Sequence, residues 1–324
     1  MTRISHILCP VNFSEGSRHA VARAAALARR YHAGLTLLHI FVSRPAMDVP
    51  PLVLEASDRQ QWIDELREVA DSAAHGVHVD CQVRQAEFAD LAILDCIDDQ
   101  DPDLLVLGTH GRSGFRRLFL GSVAEKVLRR AHCPTLVVPP RVPAADDDVA
   151  TFSRILCAVD FSESSDAAVV QAFDLAADGA TLTLLHAVEL PVLPDLPPGP
   201  DISAIAERLK AETHVRLQAL IPAAVRERCW VETAVVEGRA YREIVREATE
   251  RGAALIVLGV HGRGAVDLLI FGSTAYHVVR AATCPVLVVH SENGIAAWRR
   301  HREQRAARGT APVASPRAQP ELRS

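Results

Sequence analysis

Along the first 140 residues, short apolar runs alternate with longer stretches whose apolar positions recur at helical spacing. Ile4 to Val11 reads as a strand ending in Pro10-Val11-Asn12, and Ser14 then offers a cap for an Ala-rich helix reaching about His32. Gly34 breaks the helix, and LTLLHIFV at 35 to 42 is apolar enough for a buried strand. A loop bearing Pro45, Pro50 and Pro51 leads to a helix predicted from about Ala56 to Ala74. VHVDCQV at 77 to 83 alternates as a strand, Asp90 to Asp98 reads as a helix, DLLVLG at 103 to 108 as a strand, and TLVVP at 135 to 139 as the last strand. The order is β-α-β-α-β-α-β-α-β. Strands that are apolar on both faces need cover on both faces, so the pattern predicts an α/β fold: a doubly wound, five-stranded parallel sheet with helices on either side.

The second half repeats the first. RILCAVDFSESSDAAV echoes HILCPVNFSEGSRHAV, LTLLHAVE at 182 to 189 echoes LTLLHIFV, and CPVLVVH at 284 to 290 echoes CPTLVVP. Between the halves, Pro139 to Ser153 carries prolines and three consecutive aspartates, a composition that cannot build a core. The expected units are residues 1–140, a linker at 141–152, a second unit at 153–291, and a tail at 292–324 that is basic and compositionally disordered. A chain of 324 residues fits two such cores better than one.

The most specific repeat is GTHGRSGFRRLFLGS, Gly108 to Ser122, which returns as GVHGRGAVDLLIFGS, Gly259 to Ser273. Both copies read G-x-x-G-x(9)-G-S between a predicted strand and a predicted helix. Such a junction aims unpaired N–H groups and the positive end of a helix dipole at one point, which suits a phosphate. Glycines let an anion approach the main chain, and a hydroxyl at Ser122 or Ser273 can cap the helix or donate to a phosphate oxygen. The alternative is that the glycines only shape a tight turn and the serines only cap. His110 and His261 lie inside the loops, as phosphate donors or as turn residues; His39 and His186 end buried strands and read as structural histidines.

The composition is that of a soluble globular protein, 49% hydrophobic and 23% charged, with no run long enough to span a bilayer and no leader-like h-region at MTRISHILCPV, which implies a cytoplasmic protein. The net charge of −5 includes seven Arg and two Glu from Ile295 onward, so the body is more acidic than the whole, and no DNA binding is expected. Seven cysteines, an odd number without a C-x-x-C pair, suggest small buried hydrophobes in place of disulfides or a zinc site.

On PVNFS and AVDFS, the LTLLH strands, the two glycine loops and the CPTLVV and CPVLVV strands, each half resembles a universal stress protein domain, and the whole resembles a tandem member of the family's ATP-binding branch. The resemblance implies a sheet in 3-2-1-4-5 order for each half, with ATP at the carboxyl ends of the strands, where open α/β sheets place ligands. In the first unit the implied nucleotide-binding positions are Pro10, Val11 and Asn12, the main chain at Ile40, then Gly108, Thr109, His110, Gly111 and Arg112, and Gly121, Ser122 and Val123. In the second they are Ala158, Val159 and Asp160, Ala187, then Gly259, Val260, His261, Gly262 and Arg263, and Gly272, Ser273 and Thr274. Asp160 is the candidate to help hold Mg²⁺ through the nucleotide. The first unit departs from the pattern with Asn12 for the Asp and with Ala86-Glu87-Phe88 where the second has Glu237-Gly238-Arg239; its loop is the more basic, with Arg112, Arg116 and Arg117 against Arg263 and Asp267. The resemblance also implies pairing through the last strands, so TLVVP and PVLVV would meet within one chain as a pseudo-dimer, leaving a homodimer open.

Nothing near the loops resembles a P-loop lysine, a GxGxxG on the first strand, or a nucleophile with its base. The expected function is therefore a nucleotide-binding stress or regulatory protein without dedicated catalysis. The alternatives are a slow ATPase on the same sites and an interaction scaffold that binds no nucleotide.

Overall fold

The computed structural model describes residues 4–43, 54–109, 120–140, 152–189, 200–260 and 271–291. In the first repeat, β1 (His6–Pro10), α1 (Glu15–Tyr31), β2 (Gly34–Val42), α2 (Ala56–Ala73), β3 (Val79–Ala86), α3 (Ala89–Gln100), β4 (Leu104–Gly108), α4 (Ser122–Arg130) and β5 (Thr135–Val138) follow the expected order. The second repeat runs β6 (Phe152–Ala158), α5 (Glu163–Leu175), β7 (Ala176–Val188), α6 (Pro200–Ala219), α7 (Ala223–Arg228), β8 (Trp230–Glu237), α8 (Ala240–Glu250), β9 (Leu255–Gly259), α9 (Ser273–Ala281) and β10 (Val286–Val289). Ser14 caps α1 as its sequence predicts, accepting the Ser17 N–H, and Ser162 does the same for α5 through Ser165.

The strands do not form two separate sheets. They make one ten-stranded sheet in the order β3-β2-β1-β4-β5-β10-β9-β6-β7-β8. Each half has the 3-2-1-4-5 order with parallel pairing, and the halves join where β10 runs antiparallel to β5, Leu287 opposite Leu136 and Val286 opposite Val137. This is the junction of TLVVP with PVLVV. The short β5 and β10, four residues each and fully buried, would otherwise leave an apolar edge with unpaired N–H and C=O groups.

Cover on the two faces follows the alternation of side chains. On one face α1, α2, α5, α6 and α7 close a core that holds Cys9, Leu37, Leu136, Cys157, Leu184 and Leu287. On the other, α4, α8 and α9 pack on Val137, Leu156, Ile256 and Val288, and α3 with α4 covers Leu8, Leu38 and Leu105. The first core face includes residues of both repeats, and Arg23 of α1 lies 5.8 Å from the ring centroid of Phe152. Arg129 of α4 stacks over Tyr276 of α9 across the same seam, at 5.1 Å.

One expectation needs correction. The stretch taken as a solvated linker ends in ordered structure: Phe152 opens β6, pairs with Ala176 and is 1% exposed, because an aromatic side chain at the seam buries against both repeats. In the second repeat the ladder ends one residue sooner, β8 stopping opposite Val188, two beyond His186, where β3 stops opposite Val42, three beyond His39, so the chain turns away earlier. Gly238 makes that tighter turn at φ +140, where a Cβ would press on the Glu243 side chain. The proposed tail at 292–324 lies outside the described residues. Among the described residues no helix is long and apolar enough to cross a membrane.

Gly108 and Gly259 have a packing role distinct from any anion. A Cβ on Gly108 would sit 2.6 Å from the Gly16 carbonyl oxygen, and one on Gly259 would sit 2.7 Å from the Ser164 carbonyl carbon. The first turns of α1 and α5 thus rest directly on the ends of β4 and β9. Gly108→Ala and Gly259→Ala are each expected to destabilise the fold by about 1–3 kcal/mol, since backbone has to move, and urea denaturation of the two variants checks this.

The seven cysteines are free, and five are buried. Burial pushes the Cys9 and Cys133 thiols up from 9.0 to about 12, and Cys157 is raised for the same reason. The fold retains these protons while the unfolded chain releases them near its ordinary thiol pKa, so the stabilisation is complete below about pH 9 and is lost as pH rises toward 12. The expected urea midpoint is flat to about pH 8.5 and then falls, each such thiol removing on the order of 1.4 kcal/mol per pH unit, with a shallower slope in Cys9→Ala.

Candidate functional site

The site begins where β1 stops. Val11 still donates its N–H to the Leu38 carbonyl at 2.8 Å, and the chain then turns sharply into α1. Asn12 Oδ1 organises the turn by accepting the Ser14 N–H at 3.1 Å and its hydroxyl at 2.6 Å. Asp160 Oδ1 does the equivalent, accepting the Ser162 N–H at 2.9 Å. An Asx side chain bonded two residues ahead stabilises this turn as amide or as carboxylate, so Asn12 keeps the structural half of the Asp role.

The residue between is in an unusual state in both copies. Phe13 has φ 62 and Phe161 φ 59, the left-handed region that bulky side chains seldom enter. Packing holds each one there. The Phe13 ring lies 4.8 Å from His39 and 5.6 Å from Trp62; the Phe161 ring lies 5.2 Å from His186, with the Arg216 guanidinium 3.8 Å above it. The histidines are tied down in turn, His39 Nδ1 donating to the Val11 carbonyl at 2.8 Å and His186 Nδ1 to the Val159 carbonyl at 2.6 Å. They are structural, as their position at the ends of buried strands predicts. Phe13 and Phe161 hold the turns beside the candidate site and were not singled out from the sequence; the matched NFS and DFS triplets were the available signal.

The glycine loops are pinned at their ends by the same bond in both repeats. Thr109 donates to the Val138 carbonyl at 3.2 Å and accepts the Gly121 N–H at 2.7 Å; Val260 donates to Val289 at 2.9 Å and accepts from Gly272 at 2.9 Å. Closing the loop on one hydrogen bond gives a physical reason for its constant length. His110, Gly111 and Arg112, and His261, Gly262 and Arg263, lie outside the described residues, as do Arg116, Arg117 and Asp267.

The helix starts correct one reading. Gly121 and Gly272 are the N-caps, both extended, and neither helix has a side-chain cap bond. Ser122 and Ser273 are the first helical residues, one position too late to cap, because a capping side chain must precede the first helical φ/ψ. Ser122 and Val123, in the first turn of α4, line the cleft at the strand ends.

These elements enclose a cleft of about 320 Å³ in the first repeat. Val11, Leu38, Ile40, Val42, Ile93 and Leu107 supply apolar walls; Asn12, Ser17, Thr109, Gly121, Ser122 and Val123 lie along its polar side. The structure therefore brings together Pro10, Val11, Asn12, Ile40, Gly108, Thr109, Gly121, Ser122 and Val123, all expected from sequence, and adds Leu38, Val42, Ala89 and Ile93. In the second repeat Ala158, Val159 and Asp160 stand at the end of β6, Ala187 on β7, Gly259 and Val260 at the end of β9, and Gly272, Ser273 and Thr274 at the start of α9, in the same order of elements. No Lys, Arg, Asp or Glu is among the described residues lining the first cleft, and no group of three or more metal-ligating side chains occurs among the described residues. A flat apolar group between the walls with an anion at the open end of α4 is what such a surface accommodates.

The profile of the Universal stress protein family matches residues 3–139 and again 151–290. A universal stress protein of Mycolicibacterium smegmatis is 31% identical over 299 residues, covering 87% of this chain and 96% of the relative. Among solved structures, a functionally unknown protein of Pseudomonas aeruginosa superposes with a TM-score of 0.64 at 20% identity, covering 95% of this chain and 98% of its own. A universal stress protein of Archaeoglobus fulgidus gives 0.55 at 21% identity, covering 89% and 99%. With both halves matched and the shared fold in place, the chain belongs to the universal stress protein family.

Proposed function

We propose that this chain is an ATP-binding regulatory protein of the stress response, acting in the cytoplasm without dedicated catalysis, with one nucleotide site in each of the units 1–140 and 153–291. One observation carries the reading: nine residues expected from sequence converge on a single cleft at the carboxyl ends of the strands, opposite an uncapped helix N-terminus. Its volume lies within the range of small-molecule sites. Adenine is placed between Val11, Leu38, Ile40 and Ile93, with the Ile40 main chain at its edge, and the phosphates at the first turn of α4 under the glycine loop. Mg²⁺ would be held mainly by the phosphates. In the second unit Asp160 fits that role with one oxygen, its other being engaged with Ser162; Asn12 supplies no charge in the first. Since β5 and β10 already pair within the chain, a homodimer would use a different surface.

The protein purified from cells and then denatured is expected to release ATP, identified by mass, at up to two per chain. No release together with a flat titration of added ATP would instead favour the scaffold reading.

Ser122→Glu places a carboxylate at the first turn of α4, where the dipole favours it and a phosphate would be displaced. The expected result is a loss of ATP affinity of about tenfold or more at one site, roughly 1.4 kcal/mol, with unchanged or slightly raised thermal stability. Ser273→Glu is expected to do the same at the other site, and calorimetry with a thermal melt checks both.

A further inference from the structure

The two repeats share the backbone of the site but differ in one wall. In the first, the residue three beyond His39 is Val42, which lines the cleft with Ala89 and Ile93 and is 45% exposed. Helix α3 starts beside it at Ala89 with no side-chain cap. In the second repeat the residue three beyond His186 is Glu189, and its Oε1 accepts the N–H of Ala240, the first residue of α8, at 2.8 Å. A carboxylate there is favoured by the helix dipole and satisfies a donor that is otherwise unpaired within the helix. It spans from the end of β7 to the start of α8, across the place that corresponds to the open apolar wall of the first cleft.

The charges around this strap point the same way. Glu189 brings a carboxylate to a wall that in the first repeat carries the uncharged Val42. Nearby, Lys210 pairs with Glu237 and Glu207, which leaves it a poor counter-ion for a new anion. A nucleotide entering the second site has to displace the Glu189 carboxylate or bind alongside its charge, and either is unfavourable for a polyanion. Breaking one charge-assisted hydrogen bond corresponds to about a tenfold change in an equilibrium.

Resting on the nucleotide reading above, we propose that the two sites are unequal and that Glu189 is the residue that sets them apart: the first repeat holds the nucleotide in an open apolar cleft, and the second admits it only as Glu189 releases the N-terminus of α8. The chain thereby carries a tight site and a weak one, and the weak one responds to nucleotide concentrations at which the first is already filled.

The test is a calorimetric titration of the full chain with ATP at fixed Mg²⁺. The expected isotherm has two steps with affinities about tenfold or more apart, the tighter weakened by Ser122→Glu toward or below the other. Glu189→Val and Glu189→Ala are expected to tighten the weak step by about tenfold and leave the tight one alone. Val42→Glu is expected to weaken the tight step. Two equal sites in the wild type, or a weak step that neither Glu189 variant moves, would overturn the proposal while leaving nucleotide binding intact. A wild-type isotherm with no heat at all would overturn the nucleotide reading itself.

Discussion

Everything in this molecule depends on how β5 and β10 are satisfied. Each repeat, taken alone, would end in a four-residue apolar strand with one hydrogen-bonding edge unused, and burying such an edge unpaired costs more than a marginally stable domain can offset. Antiparallel pairing between the two strands removes both edges at once and merges two five-stranded sheets into one. The helical layers are then continuous as well. Residues of both repeats share the core under α1 and α5, and Arg23 on Phe152 and Arg129 on Tyr276 bridge the seam from opposite faces. A change at the junction would therefore be felt in both repeats.

That arrangement leaves the carboxyl ends of β1 and β4, and of β6 and β9, free to carry loops. The loops are held by backbone. A Cβ-free Gly108 lets α1 sit on β4, the Asn12 turn launches α1, and the Thr109–Gly121 bond closes the glycine loop. Phe13 is forced into the left-handed region and kept there by His39 and Trp62, so strain at the loop is offset by ring packing beneath it. The second repeat reproduces the strain with a different support, Arg216 over Phe161 in place of a tryptophan. Conformation has been preserved while the side chains that enforce it have diverged.

The same divergence reaches the wall of the candidate site. A neutral, apolar rim in the first repeat and a carboxylate bonded to a helix terminus in the second are built on one backbone. Two copies of a site that differ in charge and in access can answer to different concentrations of one anion, a use of duplication that requires no change of fold.

Periodicity and the repeat by themselves determined the element order except for α7, the α/β class and the sheet's parallel halves, because short, doubly apolar strands admit few alternatives. They also marked the candidate site, since Gly108, Thr109, Gly121 and Ser122, which flank the glycine loop, line one cleft. Local pattern could not decide what depended on distant neighbours. Phe152 belongs to a strand and not to the linker because Ala176 and both cores lie beside it, and Ser122 follows the cap because the helix starts one residue earlier than a serine cap would put it. Gly108 is needed for an approach by Gly16, ninety-two positions earlier in the chain. The role of Glu189 appears only when β7 and α8 are brought side by side, since a carboxylate in a sequence carries no sign of which helix terminus it will meet. Short-range order followed from residue types along the chain, whereas contacts between remote segments were settled only by packing.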